Sequence, residues 1–126
     1  MRLILLASLL ILICLPVQAQ NQRAQYKCLL IYSLRSPSHT FFSQQVEQLK
    51  SQLLGQNIAL MDLNSWHSEP PYLALSGRQK SVLRQAYNLP PQDTAAVLLD
   101  NKGQIIVRYQ GTVDLVNLML ACHHSP

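Results

Sequence analysis

No two cysteines of this chain stand close together. The 126 residues hold three, Cys14, Cys28 and Cys122, and no pair has the CxxC spacing of a dithiol centre. Exchange chemistry of that kind rests on a stabilised thiolate with a second sulfur beside it, so the conventional dithiol mechanism is excluded. Charge is also scarce: Lys, Arg, Asp and Glu make up 13% of the chain, with a net charge of +4. The basic residues are spread along the sequence, and only Arg78, Lys80 and Arg84 gather. On a helix these three read as a solvated face, which is no footprint for nucleic acid. Internal repeats and low-complexity segments are absent.

What is present begins with a leader. Arg2 supplies a positive start, Leu3 to Val17 form an apolar run, and Val17-Gln18-Ala19 offers the small or compact residues that a signal peptidase reads. Residues 1–19 are therefore expected to be a secretory signal peptide, cut before Gln20, which places the mature chain in a periplasm or outside the cell. The apolar run is too short and wrongly flanked for a membrane span, and no stop-transfer cluster follows it. A lipoprotein signal at Cys14 is disfavoured by Ile13, where a small residue is expected. Processing leaves about 107 residues, nine basic side chains against six acidic, and the cysteines Cys28 and Cys122. That length suits one domain burying roughly 60–65% of its unfolded surface. In an oxidising compartment the two thiols are candidates for a disulfide.

Lys27 to Tyr32 is a continuous apolar run of strand length, as expected of a central strand covered on both faces. Ser36-Pro37 reads as a helix start, with Ser36 capping and Pro37 at the first helical position. Phe42, Val46, Leu49 and Leu53 follow at helical spacing, and Gly55 stands where a left-handed cap would end the helix. Ile58 to Leu63 reads as the next strand, and Asn64 to Leu75, with Pro70 and Pro71, is irregular. Ser76 and Gln79 form a capping-box pattern ahead of a helix whose apolar stripe is Val82, Leu83 and Ala86. Pro90 and Pro91 break that helix. Ala95 to Leu99 and Gln104 to Tyr109 are strands joined by Asp100-Asn101-Lys102-Gly103, a hairpin turn. Thr112 is read as the cap of a last helix, with Asp114 at its positive end and Val113, Val116 and Met119 as core. The order β-α-β-α-β-β-α, with a right-handed crossover, predicts an α/β domain of thioredoxin-like arrangement with a mixed four-stranded sheet flanked by helices, its core at about residues 27–121.

The segments Leu29-Leu30-Ile31-Tyr32-Ser33, Leu83-Arg84 with Tyr87 and Pro91, and Val97-Leu98-Leu99 with Gly103 resemble domain-of-unknown-function family 4174, the P-DUDES domain, also found in extracellular-matrix proteins of the equarin group. The resemblance spans roughly Lys27 to Ala121. Two departures stand out: Ser33-Leu34 occupies the place of the family's Ala-Pro pair, and Asn101-Lys102-Gly103 that of its Lys-Asp-Gly turn. Membership implies a thioredoxin-like fold and leaves activity open.

Thioredoxin-type chemistry places its thiolate at the start of the first helix, where the dipole and free N–H groups stabilise it. That loop here, Tyr32 to His39, holds no cysteine. The cis-proline expected just before the third strand is also missing, since Asp93-Thr94 stands there and Pro90 and Pro91 come too early. Cys28 begins a buried strand, where a thiol behaves as a small hydrophobe. Cys122 ends a helix, where the dipole disfavours a thiolate. Arg35, Ser36, Ser38 and His39 surround a helix N-terminus and are candidates for holding a small anionic ligand or a partner's carboxylate. Cys122, His123 and His124 are the weak candidates for a metal, since three neighbours at a chain end seldom close a site. His67 with Glu69 could pair as a base and its orienting acid. Trp66, Pro70, Pro71 and Tyr72 suit a protein-contact surface, and Trp66 folded onto the sheet edge is the other reading. The sequence thus points to a non-catalytic binding or accessory module with no cofactor; the alternative is an atypical thiol-dependent oxidoreductase using Cys28 or Cys122.

Overall fold

A computed structural model describes residues 26–126, so the signal peptide expected at residues 1–19 lies outside the described residues. Four strands and four helices follow in order: β1 (Cys28–Ser33), α1 (Ser38–Gln48), α2 (Lys50–Gly55), β2 (Ile58–Asp62), α3 (Gly77–Tyr87), β3 (Ala95–Asp100), β4 (Ile105–Gln110) and α4 (Leu115–His123). The sheet order is β2-β1-β3-β4. β1 and β2 are parallel, with Cys28 opposite Ile58, and β3 runs antiparallel to both β1 and β4. The expected element order is the observed one, with the first helix in two pieces.

Alternation along the central strands builds two cores. Cys28, Leu30 and Tyr32 of β1, with Ile58 and Leu60 of β2 and Ala96 and Leu98 of β3, face one side. There Phe42, Val46, Leu53, Leu115 and Leu118 of α1, α2 and α4 close over them. Ile31, Val97 and Leu99 face the other side, covered by Leu63, Leu89, Leu75 and the Leu83 and Tyr87 of α3. A strand packed on both faces has no polar positions to show, which is why β1 and β3 read as unbroken apolar runs. The edge strand β4 is half-exposed along its length.

The helix ends differ from the sequence reading. Ser36 does not cap α1: Pro37 holds the cap position without a side-chain bond, and the His39 N–H donates to the Arg35 carbonyl at 3.1 Å. That backbone turn satisfies a group the serine would otherwise serve. Leu49 (φ −110°, ψ 17°) interrupts the helix, and the left-handed residue after α2 is Asn57 (φ 56°) in place of Gly55. Asp114, not Thr112, caps α4, accepting from the Val116 N–H at 3.0 Å. This sets the register so that Leu115, Leu118 and Cys122 turn inward while Val116 stays 52% exposed. The capping box of α3 forms as read, between Ser76 and Gln79. Its stripe forms only in part: Leu83 packs on the second core, while Val82 is 58% exposed and no residue of α3 is fully buried. In the β3–β4 turn the Asp100 carboxylate accepts from the N–H groups of Lys102 and Gln104, both at 2.9 Å, and Gly103 takes φ +82°.

Cys28 and Cys122 are joined by a disulfide, with Cα atoms 6.0 Å apart. It ties the start of β1 to the end of α4, and both residues are buried. The bridge closes a sequence separation of 94 residues, for which chain entropy alone predicts about 4–5 kcal/mol. Replacing both residues by alanine is expected to lower the unfolding free energy by roughly 3–5 kcal/mol, measured from urea transitions of the oxidised native chain and the variant. A loss below about 1 kcal/mol would show that the bridge does not limit the unfolded chain.

Candidate functional site

The carboxyl-terminal ends of β1 and β2 carry a concentrated polar group. Asp62, the last residue of β2, is buried, and its neighbour in the register is Tyr32. A carboxylate removed from water must find donors among its neighbours. Its Oδ2 accepts from His39 Nε2 at 2.8 Å and from His67 Nε2 at 2.9 Å, and its Oδ1 from the Asn64 N–H at 2.9 Å. His39 comes from the first turn of α1, and His67 from the irregular segment after β2. Both imidazoles meet this one carboxylate oxygen through Nε2, where the ring nitrogen that carries hydrogen can donate to it.

Segment 69–73 positions the outer wall. The Leu60 N–H donates to the Pro71 carbonyl and the Leu73 N–H to the Leu60 carbonyl, both at 2.9 Å, so this stretch runs beside β2. It brings Tyr72 onto His67, stacked with ring centroids 3.7 Å apart. Behind them lies the Tyr32 hydroxyl, the one buried side-chain polar atom among the described residues that lacks a hydrogen-bond partner. Burial pushes the Tyr32 phenol well above the ordinary tyrosine range, and the charge of Asp62 adds to it. Tyr72 is raised as well, chiefly by burial. Over the cluster opens a shallow cavity of about 250 Å³ lined by Glu47, Lys50, Trp66, His67, Glu69 and Tyr72. Trp66 stands at this cavity 69% exposed, so it does not fold onto the sheet edge.

On the opposite face of the same end, Arg84 reaches in from α3. Its guanidinium donates to Ser33 Oγ at 2.8 Å, the Leu89 carbonyl at 3.0 Å and the Leu63 carbonyl at 2.8 Å. Partial burial lowers its pKa and the Asp62 charge pulls it back up. Arg84 is thus a structural clamp, in contrast to the solvated face read from sequence; Lys80 is tied likewise, donating to the Ser65 carbonyl at 3.1 Å.

The sequence candidates are redistributed accordingly. Of the anion-loop residues, His39 is turned onto Asp62. Arg35 donates to the Gln92 carbonyl at 3.1 Å, and its own N–H donates to Thr94 Oγ1 at 3.2 Å. Thr94 therefore faces the β1–α1 loop from the position before β3, and the cis peptides among the described residues lie elsewhere, at Ser36-Pro37 and Pro70-Pro71. His67 pairs with Asp62 and not with Glu69, whose partner is Lys50 at 3.9 Å. Cys122 has its sulfur in the disulfide, which removes the thiolate from the terminal metal candidates, and His123 and His124 are exposed. Among the described residues no three side chains are placed to hold a metal ion. Sequence reading missed Asp62 and Arg84, since a lone acid ending an apolar strand has no periodic signal.

Ser65 Oγ lies 3.3 Å from His39 Nε2. This is no catalytic triad. A triad uses the two ring nitrogens separately, acid on one and hydroxyl on the other. Here both partners, Asp62 and Ser65, meet the same Nε2. The cluster orients two imidazoles and presents their surroundings, with Trp66, to the outside.

No family model and no curated protein matches the sequence. Solved structures do match its fold. The bacterioferritin comigratory protein of Xanthomonas campestris, studied for alkyl peroxide reduction, aligns at 13% identity over 83% of this chain and 84% of that one, with TM-score 0.54. The N-terminal domain of PilB from N. meningitidis aligns at 13% identity, 77% and 79% coverage and TM-score 0.52. A thiol-disulfide isomerase from Corynebacterium glutamicum aligns at 15% identity, 82% coverage of each chain and TM-score 0.50. The fold is thioredoxin-like.

Asp62→Asn removes the charge and turns an amide NH2 toward either the two imidazoles, which share one oxygen, or the Asn64 N–H, so it is expected to cost about 2 kcal/mol, the scale of a charge-assisted hydrogen bond. Urea unfolding at neutral pH checks this, and a change under about 0.5 kcal/mol would show that the imidazoles do not depend on the carboxylate. Alkaline pH tests the phenols. Tyr32, Tyr72 and Tyr109 are all raised by burial, so the folded chain keeps protons that unfolded tyrosines lose near pH ~10. Stability is then fully present below about pH 10 and falls as the pH rises above it. Urea midpoints taken alongside tyrosinate absorbance should fall together with late ionisation; a flat stability profile across this range would contradict it.

Proposed function

We propose that the chain is an exported thioredoxin-like module that binds a partner at the Asp62 end of its sheet and does not turn over thiols. One observation carries this. The β1–α1 loop, where thiol chemistry on this fold needs its sulfur, contains none. Both cysteines of the described residues are instead buried in a disulfide at the opposite end of the six-residue strand β1, roughly 16 Å away at strand rise. The partner surface is the cavity beside Trp66, with its exposed indole, Pro70 and the ion pair of Lys50 and Glu69. Trp66 is the single tryptophan of the chain, and such rigid aromatic groups anchor protein interfaces. Disulfides persist in oxidising compartments, which supports export through the leader. The P-DUDES resemblance belongs to the same proposal and asks for the same fold.

The second reading is favoured by fold neighbours named for alkyl peroxide reduction and thiol-disulfide isomerase activity: the Cys28–Cys122 bridge would itself be redox-active. One experiment separates them. The chain recovered from its exported location should begin at Gln20, resist alkylation without reductant, and reduce insulin in the presence of dithiothreitol no faster than the Cys28→Ser, Cys122→Ser double variant. Insulin reduction that is rapid in the native chain and falls to background in the double variant would replace the binding reading with the redox one.

A further inference from the structure

The faces of the sheet are covered, by α1, α2 and α4 on one side and, on the other, by α3, which stands over an apolar cavity of about 480 Å³. The two borders of the sheet are not alike. Along β2 the Leu60 N–H and carbonyl are taken by Pro71 and Leu73, so this segment closes that border. β4 ends the strand order and pairs with β3 alone. Among the described residues no backbone group is bonded along its outer side.

Main-chain alternation tells which groups this border offers. The Gly111 N–H donates to the Thr94 carbonyl at 2.7 Å, so Tyr109 and Val107 bond inward to β3, while Gln110 and Arg108 turn their N–H and C=O groups outward. Ile106 is skipped in the β3–β4 register, so the regular stretch runs from Val107 to Gln110. Native edge strands are commonly blunted by proline or by an outstretched charge. β4 holds no proline, and its one charged side chain, Arg108, is drawn back to the Tyr87 carbonyl at 2.9 Å.

A row of alternating donors and acceptors fits one kind of occupant, an extended strand. The β4 of a second copy is such a strand and is already ordered, which spares the entropy that a free peptide would lose on docking. Charge then selects the register. Two edges related by a two-fold axis normal to the sheet pair antiparallel. A pairing centred on Arg108 would set two guanidinium groups directly opposite each other, which is unfavourable. One centred on Val107 would run into the irregular Ile106. Centred on Tyr109, each Arg108 meets the Gln110 of the second copy, and the outward groups of these residues match in four hydrogen bonds. The two Tyr109 side chains then face each other in the non-hydrogen-bonded pair, where side chains come closest.

We propose that β4 is a self-association edge: two copies join β4 to β4 about an axis at Tyr109, making one sheet of eight strands, four from each copy. The shared strand is six residues long, about 20 Å at strand rise, so the dimer belongs to the weak, concentration-dependent class. This border is the far one from β2 and its Asp62 cluster, and the proposal stands apart from the binding reading given above.

Sedimentation velocity of the mature chain between about 10 µM and about 1 mM should show monomer passing into dimer. Gln110→Glu sets a carboxylate opposite the second copy's Arg108 and should tighten the dimer by about fivefold, while Gln110→Lys should loosen it by a similar factor. Tyr109→Cys should give a disulfide-linked dimer on mild oxidation, because Cα atoms of such a pair stand about 4.5 Å apart, within reach of a bridge. Val107→Cys should give none. If Tyr109→Cys does not fold, the two charges at the exposed Gln110 decide alone. A chain that stays monomeric throughout would leave an unrelated strand as the occupant of this edge and overturn the proposal. So would a dimer that does not respond in opposite directions to the two charges, or a bridge formed through Val107→Cys and not through Tyr109→Cys.

Discussion

A buried carboxylate is the constraint from which this end of the molecule is built. Asp62 closes an otherwise apolar strand, faces the core side, and has no water to solvate it. Left without donors, a buried carboxylate there would oppose folding of the strand. The structure meets it with two imidazoles and a backbone N–H, and each donor fixes a different part of the chain. His39 draws the first turn of α1 against β2. The Asn64 N–H turns the chain sharply after the strand. His67 pins the irregular segment, and through its stacking on Tyr72 that pin reaches the stretch around Pro71. A segment that has neither helical nor strand periodicity is thereby held by polar contacts to Asp62 together with its backbone bonds to Leu60.

The two ends of β1 have exchanged the roles that thioredoxin-type redox chemistry would give them. Sulfur at the start of α1 would need the helix dipole and an accessible position. Here that position belongs to His39, and the histidine is engaged with Asp62. The sulfur lies at the beginning of the strand, paired and covered by α4. A long-range covalent tie at one end leaves the other free to carry polar groups that stabilise little by packing. Arg84 reinforces that end from the opposite face by collecting carbonyls that leave β2 and α3.

Sequence reading reached the architecture because its signals are local and periodic. The apolar runs of β1 and β3, the hairpin centred on Asp100 to Gly103, and the Ser76–Gln79 capping box each depend on residues within a few positions of one another. Errors fell where a long-range contact outweighs the local pattern. Gln45 Oε1 accepts the Leu115 N–H across 70 residues, and with the Asp114 cap it sets the register of α4, which spacing alone assigned to Val116. The site was legible only in part: His39 and His67 were singled out for other partners, because nothing in their sequence neighbourhoods names Asp62. Arg84 looked like one of three solvated cations, since the carbonyls it serves come from two loops far apart in the chain.

The two faces of the sheet are stabilised by different physics, and this bears on where the molecule can accept something new. On the face of α1, α2 and α4, large side chains interlock and the disulfide fixes their spacing, so added volume would meet close-packed atoms. On the face of α3, the helix is positioned by hydrogen bonds whose geometry is satisfied at a fixed height above the sheet. Moving α3 inward to fill the space would break the Arg84 bonds and leave the part-buried Leu63 and Leu89 carbonyls without donors, a loss of about 1–3 kcal/mol for each group. The helix cannot collapse onto the sheet without that cost, and so the cavity is maintained by the polar anchors. An arrangement in which hydrogen bonding sets a distance that packing alone would close is one in which added volume gains contacts without displacing protein atoms.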